Sequence, residues 1–132
     1  MRTRCSYIEN DSVTYQIDIT ILDDNSLSIE LKISFNVKKR VESFKPLFLD
    51  CMTTKRIDYI RINNKKIETS HHDYGRILLP SDSLKMGKNV FESKIVTSNA
   101  EEIGFFNRQN CVFAKNYPFG YSTIFPCFDQ PS

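Results

Sequence analysis

Val13-Thr14-Tyr15-Gln16-Ile17-Asp18-Ile19-Thr20-Ile21 and Leu27-Ser28-Ile29-Glu30-Leu31-Lys32-Ile33-Ser34-Phe35-Asn36-Val37 alternate apolar and polar residues without a break. Successive side chains of a strand point to opposite faces, so period two gives each run one core face and one wet face. Asp23-Asp24-Asn25-Ser26 lies between them. These residue types bend a chain through hydrogen bonds from side chain to backbone. The two runs therefore predict a long antiparallel hairpin, and with it an all-β protein.

Downstream, the pattern repeats in shorter units. Lys38-Lys39-Arg40-Val41-Glu42-Ser43 reads as a solvated connector, and Pro46-Leu47-Phe48-Leu49-Asp50-Cys51 as a strand buried on both faces. Ile57-Asp58-Tyr59-Ile60-Arg61-Ile62 and Lys66-Ile67-Glu68 flank Asn63-Asn64-Lys65, a tight turn in which Asn tolerates positive φ. Arg76-Ile77-Leu78-Leu79 is a strand stopped by Pro80, and Ser81–Met86 a helical turn closed by Gly87. Asn89–Val96 and Cys111–Ala114 are further strands, with Asn107-Arg108-Gln109-Asn110 as a polar break before the second. No segment sustains a period of 3.6. Short strands at close spacing mean a sandwich or an open sheet layer. After Ala114, aromatic residues crowd together with Pro118, Gly120, Pro126 and Pro131, which predicts a packed, irregular tail.

The composition excludes several functions. The chain has 132 residues, 40% hydrophobic and 26% charged, which suits one globular domain with a real core. Lys plus Arg number 18 against 16 Asp plus Glu, a net charge of +2, and the basic residues are scattered among acids. That balance argues against a nucleic-acid partner. No apolar run approaches the roughly 18 residues of a membrane helix. No apolar stretch follows Met1-Arg-Thr-Arg, so the sequence predicts no secretory signal, no membrane partner and a cytoplasmic location. Cys5, Cys51, Cys111 and Cys127 form no C-x-x-C pair and read as reduced, mostly buried thiols.

Candidate chemistry is sparse. His71-His72-Asp73 is the one place that resembles metal ligands, but neighbouring side chains of an extended chain point apart, and a polar surface turn is the expectation. Glu101-Glu102 reads as a solvated loop rather than an acid/base pair. The four glycines are isolated, which excludes a glycine-rich phosphate loop.

The tail carries the one specific motif. Phe125-Pro126-Cys127-Phe128-Asp129-Gln130-Pro131 resembles the F-P-C-F-D-[EQ]-P motif of the aminopeptidase N family of zinc exopeptidases. Other fragments follow in the family's order. Leu47-Phe48-Leu49-Asp50-Cys51 resembles its "LDC" strand, and Ile62-Asn63-Asn64 its "I-N-G" hairpin. Leu78-Leu79-Pro80, Leu84 and Gly87-Lys88-Asn89 resemble its "LP…L…G.N" connection, and Gly104-Phe105-Phe106 its "G-[LF]-Y" turn.

The resemblance implies the fold of the family's N-terminal β-domain, a saddle-like array of mainly antiparallel strands. It implies that residues 1–132 form a single, incomplete copy of that domain, because the family's domain runs well beyond this motif. In the family, the domain packs on a thermolysin-like catalytic domain and walls its substrate pocket. Zinc and the H-E-x-x-H ligands belong to that catalytic domain, and this chain contains neither H-E-x-x-H nor the amine-binding G-A-M-E-N segment. A zinc hydrolase needs three protein ligands and a base to activate water, so the chain alone should bind no zinc and cleave no peptide. Two partners follow from this resemblance: the catalytic domain, or a second copy joined through an unpaired sheet edge. Peptide substrate is expected only in the parent.

The family's T-Q-F-E-P string precedes the motif. Aligned without gaps, Ala114, Lys115, Asn116, Tyr117 and Pro118 take its places. Lys115 and Tyr117 thus fall on the pocket-wall positions where the family has Gln and the amine-binding Glu. A phenol in place of that carboxylate loses a charge-assisted contact, a class worth about 1.5–3 kcal/mol. The departures at these positions keep open a second implication, a non-catalytic scaffold for protein interaction built on the same fold. Within the motif, Pro126 and Pro131 fix φ, and Asp129 is suited to holding a turn through backbone amides, so Phe125 to Pro131 read as a scaffold and not as a catalyst.

Overall fold

Antiparallel pairing joins the two alternating runs in full register, Thr14 opposite Ser34 through to Ile21 opposite Leu27. The structure is a computed structural model that describes residues 7–9, 11–22, 26–42, 47–51, 54–68, 72–73, 76–97, 105–108, 111–114 and 126–128. In chain order its strands are β1 (Thr14–Ile21), β2 (Leu27–Val37), β3 (Leu47–Asp50), β4 (Thr54–Ile62), β5 (Lys65–Ile67), β6 (His72–Asp73), β7 (Arg76–Leu79), β8 (Gly87–Thr97), β9 (Phe105–Arg108) and β10 (Cys111–Ala114). They form a five-stranded sheet ordered β1-β2-β8-β4-β5, a three-stranded sheet β3-β7-β6 and the pair β10-β9. Every ladder among the described residues is antiparallel. The protein is all-β, as the periodicity requires.

The long strands β2 and β8 are the spine of the large sheet, paired over their whole length from Leu27 opposite Thr97 to Val37 opposite Gly87. On the core face, Leu27, Ile29, Leu31, Ile33 and Phe35 of β2 meet Phe91 and Ile95 of β8 and Ile60 and Ile62 of β4. Leu47 and Leu49 of β3 and Ile77 and Leu79 of β7 join the same cluster from the small sheet. The opposite face carries a cross-strand ion pair, Glu30 beside Lys94 at 3.6 Å, and along β4 the Arg61 guanidinium lies 4.3 Å over the Tyr59 ring. Exposed ion pairs of this kind contribute little, so burial on the other face holds the sheet together.

Among the described residues, two buried hydroxyls on β8, those of Ser93 and Thr97, work against the core. Ser93 faces inward on β8, opposite Leu31 and Ile60, and its hydroxyl has no hydrogen-bond partner. A buried hydroxyl left unpaired costs about 1–3 kcal/mol. Ser93→Ala is therefore expected to raise stability by about 1 kcal/mol, read as a higher urea midpoint at unchanged slope. A lower midpoint would show that the hydroxyl is satisfied in solution.

Several local readings need correction. The run Leu47–Asp50 alternates buried and half-buried residues instead of being buried on both faces, because only one side of the small sheet meets the core. Asn63 and Asn64 alone form the hairpin turn, with φ of 51° and 67°, and Lys65 already pairs with Ile62. Two successive positive φ values match the twist of the flanking strands. The turn after Pro80 is a short 3-10 segment over Ser81–Ser83, and Gly87, at φ 83°, opens β8 instead of closing a helix. His72-Asp73 pairs with Arg76-Ile77 as a strand and is not a loop. Phe105, Phe106, Asn107 and Arg108 belong to β9, so the polar break does not begin at Asn107; Gly104, Gln109 and Asn110 lie outside the described residues. The apolar face of β1 is also largely uncovered, as β1 is an edge strand that overhangs the core.

Candidate functional site

The tail motif enters the fold as a clamp between the sheets. Cys127 forms an isolated antiparallel bridge with Asp50, the Asp of the "LDC" run. The Cys127 N–H donates to the Asp50 carbonyl at 3.0 Å, and the Asp50 N–H donates to the Cys127 carbonyl at 2.8 Å. Two motifs far apart in sequence are thereby stitched together through backbone. Pro126, Cys127 and Phe128 are all buried. Phe128 meets the large sheet: its ring stands edge-on to Phe35 of β2, with centroids 5.2 Å apart and an interplanar angle of 77°. Its N–H donates to the Tyr15 hydroxyl of β1 at 3.0 Å. This edge-to-face geometry is the favoured one for aromatic pairs.

The same end of the small sheet carries Arg76, opposite Asp50 in register. Its guanidinium lies 4.3 Å above the Phe48 ring, and its Nε is 4.0 Å from the Asp50 carboxylate. The pair is partly exposed and loose, which suits surface packing more than substrate capture.

A second polar cluster unites the Ile62-Asn63-Asn64 and Gly87-Lys88-Asn89 fragments. Asn89 is fully buried, and its amide uses all four of its hydrogen bonds. Its Oδ1 accepts from Asn63 Nδ2 and from the Lys85 N–H, each at 2.9 Å. Its Nδ2 donates to the Lys85 and Gly87 carbonyls at 2.8 and 3.0 Å. Asn63 in turn donates to the Ser83 carbonyl and accepts from the Val90 N–H. The knot pins the β4–β5 turn to the loop before β8, and the Asn89 amide is spent on bonds within it.

The structure thus brings together Asp50 with Cys127, and Asn63 with Asn89. It adds Tyr15 and Phe35 as partners of the motif, which periodicity had marked only as core-facing. Phe125, Asp129, Gln130, Pro131, Lys115 and Tyr117 lie outside the described residues, as do His71, Glu101 and Glu102. Cys51 and Cys127 are buried thiols not joined in a disulfide. Among the described residues, no three His, Cys, Asp or Glu side chains are grouped to hold a metal ion. No helix among them is long and apolar enough to cross a membrane. A depression of about 280 Å³ lined by Lys32, Asn63, Lys85, Lys88 and Glu92 among others is open and of mixed charge, away from the clamp.

Among solved structures, the fold is similar to that of native yeast LTA4 hydrolase, with a TM-score of 0.63 and 15% sequence identity. The similarity covers 95% of this chain and 22% of that one, so the chain spans about a fifth of the length of that protein. At this identity the likeness shows a shared fold. No family model matches the sequence. No curated protein matches it either.

Proposed function

We propose that the chain is the non-catalytic β-domain of an aminopeptidase N-like zinc peptidase, where it packs on a catalytic domain and walls the substrate pocket. The observation that carries this reading is the clamp. Pro126, Cys127 and Phe128 are buried and spent on joining two sheets, as expected of a motif that scaffolds a wall. The fold shared with yeast LTA4 hydrolase over 95% of the chain supports it. In this reading zinc and the attacking water belong to the catalytic domain, which would supply the three protein ligands and the base. Lys115 and Tyr117, just before the motif, would face the substrate.

The test is to mix the chain with the catalytic domain of a zinc aminopeptidase stripped of its own β-domain, and to follow release of an aminoacyl chromophore. The chain alone, with added zinc, is expected to give no turnover, and the mixture to regain it. Zinc-dependent turnover by the isolated chain would sink the reading, as would failure to bind the catalytic domain. The identities of Lys115 and Tyr117 favour a second reading, a non-catalytic interaction scaffold. Binding without regained turnover, unimproved by Tyr117→Glu, would select it.

A further inference from the structure

We propose that β1 is a self-pairing edge, on which a second copy of this chain docks antiparallel about a two-fold axis at Ile17. The inference is independent of the proposed function. It starts from a contrast between edges. β5 and β6, the edge strands at the far side of the large sheet and on the small sheet, have three and two residues, and β5 carries Lys65 and Lys66. Short, charged edges resist pairing with other chains. β1 has eight residues with Asp18 as its one charge, and among the described residues nothing pairs with its outer side. It also shows its apolar face: Tyr15, Ile19 and Ile21 are 39%, 43% and 41% exposed, although they stand in line with the fully buried Ile33, Ile29 and Leu27 of β2. The apolar surface of the large sheet thus continues one strand past its cover.

The strand's own sequence specifies what completes it. In an antiparallel pairing about a two-fold axis, side chains of one face meet side chains of the same face. Centred on Ile17, the register sets Ile17 against its copy, Tyr15 against Ile19, and Val13 against Ile21. On the other face, Gln16 meets Asp18 and Thr14 meets Thr20, so a hydrogen-bonding amide faces the carboxylate. Shifting the axis to Asp18 opposes two carboxylates, which is unfavourable. Shifting it to Gln16 sets Ile21 against Asp11, a residue at φ 66° and outside the strand. One register therefore satisfies both faces, and it would extend the large sheet into a ten-stranded sheet shared by two copies.

Sedimentation of the 132-residue chain across a concentration series tests the proposal. A reversible monomer–dimer equilibrium is expected. Ile19→Glu, at an exposed position, places a carboxylate in the shared apolar row and is expected to raise the dimer dissociation constant roughly tenfold or more with an unchanged circular dichroism spectrum. Met86→Glu, at an exposed site away from β1, should leave it unchanged. Oxidative cross-linking reads the register: Ile17→Cys is expected to cross-link to itself, and Gln16→Cys to an equimolar Asp18→Cys, above the level of the parent chain. Ile17→Ser, which keeps the site small and uncharged, checks that loss of the cross-link follows loss of the thiol. A chain that stays monomeric at all concentrations overturns the proposal and assigns the β1 face to another protein. A dimer indifferent to Ile19→Glu, or cross-linked in another register, overturns it equally.

Discussion

Phe128→Ala is expected to cost about 3–5 kcal/mol, the range for removing a buried aromatic side chain. The ring is 5% exposed and packs edge-on against Phe35, in the heart of the large sheet. Its loss leaves a hole that neither sheet fills easily, because β2 is held on both sides by ladders and β3 is fixed by the Cys127 bridge. A domain of this size is stable by only about 5–15 kcal/mol, so the variant sits near the folding threshold. The melting temperature should fall by roughly 10–20 °C. Phe128→Leu, which keeps most of the volume, should cost about a third as much, and Tyr15→Phe, which removes the hydroxyl accepting the Phe128 N–H, about 1 kcal/mol. A Phe128→Ala loss below about 1 kcal/mol, measured by urea denaturation, would mean that the motif is not clamped between the sheets.

Asn89→Leu is the second large effect, expected to cost about 2–4 kcal/mol although it adds apolar bulk to a buried position. Leucine nearly matches the asparagine in shape but makes none of its four hydrogen bonds. The Asn63 amide loses its buried acceptor, and the Lys85 and Gly87 backbone groups must find water or stay unpaired. Asn89→Asp should do no better. It keeps the two acceptor roles but turns the donor end into oxygen facing the Lys85 and Gly87 carbonyls. Hydrogen exchange gives the local readout: the Asn63 and Val90 N–H groups, which bond to Val90 and Asn63 across the turn, should lose protection before the rest of β8. Uniform loss along β8 would count against a local knot.

The alternation in Val13–Ile21 and Leu27–Val37 made the hairpin and its register readable, because period two fixes which face each residue takes. The same alternation could not reveal that β1 overhangs the core. Burial of an edge strand depends on how far the opposing layer extends, and no residue in β1 records that. The Asn63-Asn64 turn was legible from residue type, since asparagine is among the few side chains at ease with positive φ. Gly87 was misread for a related reason: its positive φ suits a helix end as well as a strand start, and only the Asn89 knot decides between them. For the candidate site, the motif marked the segment that joins the two sheets. Its partners did not follow from it, because the Asp50–Cys127 bridge runs through backbone atoms that every residue has.

The bond from the Phe128 N–H to Tyr15 joins residues 113 positions apart. Its consequence lies in the order of folding. The β1–β2 hairpin closes over a short loop and can form as soon as both strands exist, whereas the clamp waits for almost the whole chain to be made. A contact that forms late, after the folding transition state, contributes mainly to the barrier against unfolding. The tail therefore acts as a latch on lifetime: weakening it should leave the refolding rate nearly unchanged and make the folded protein open sooner.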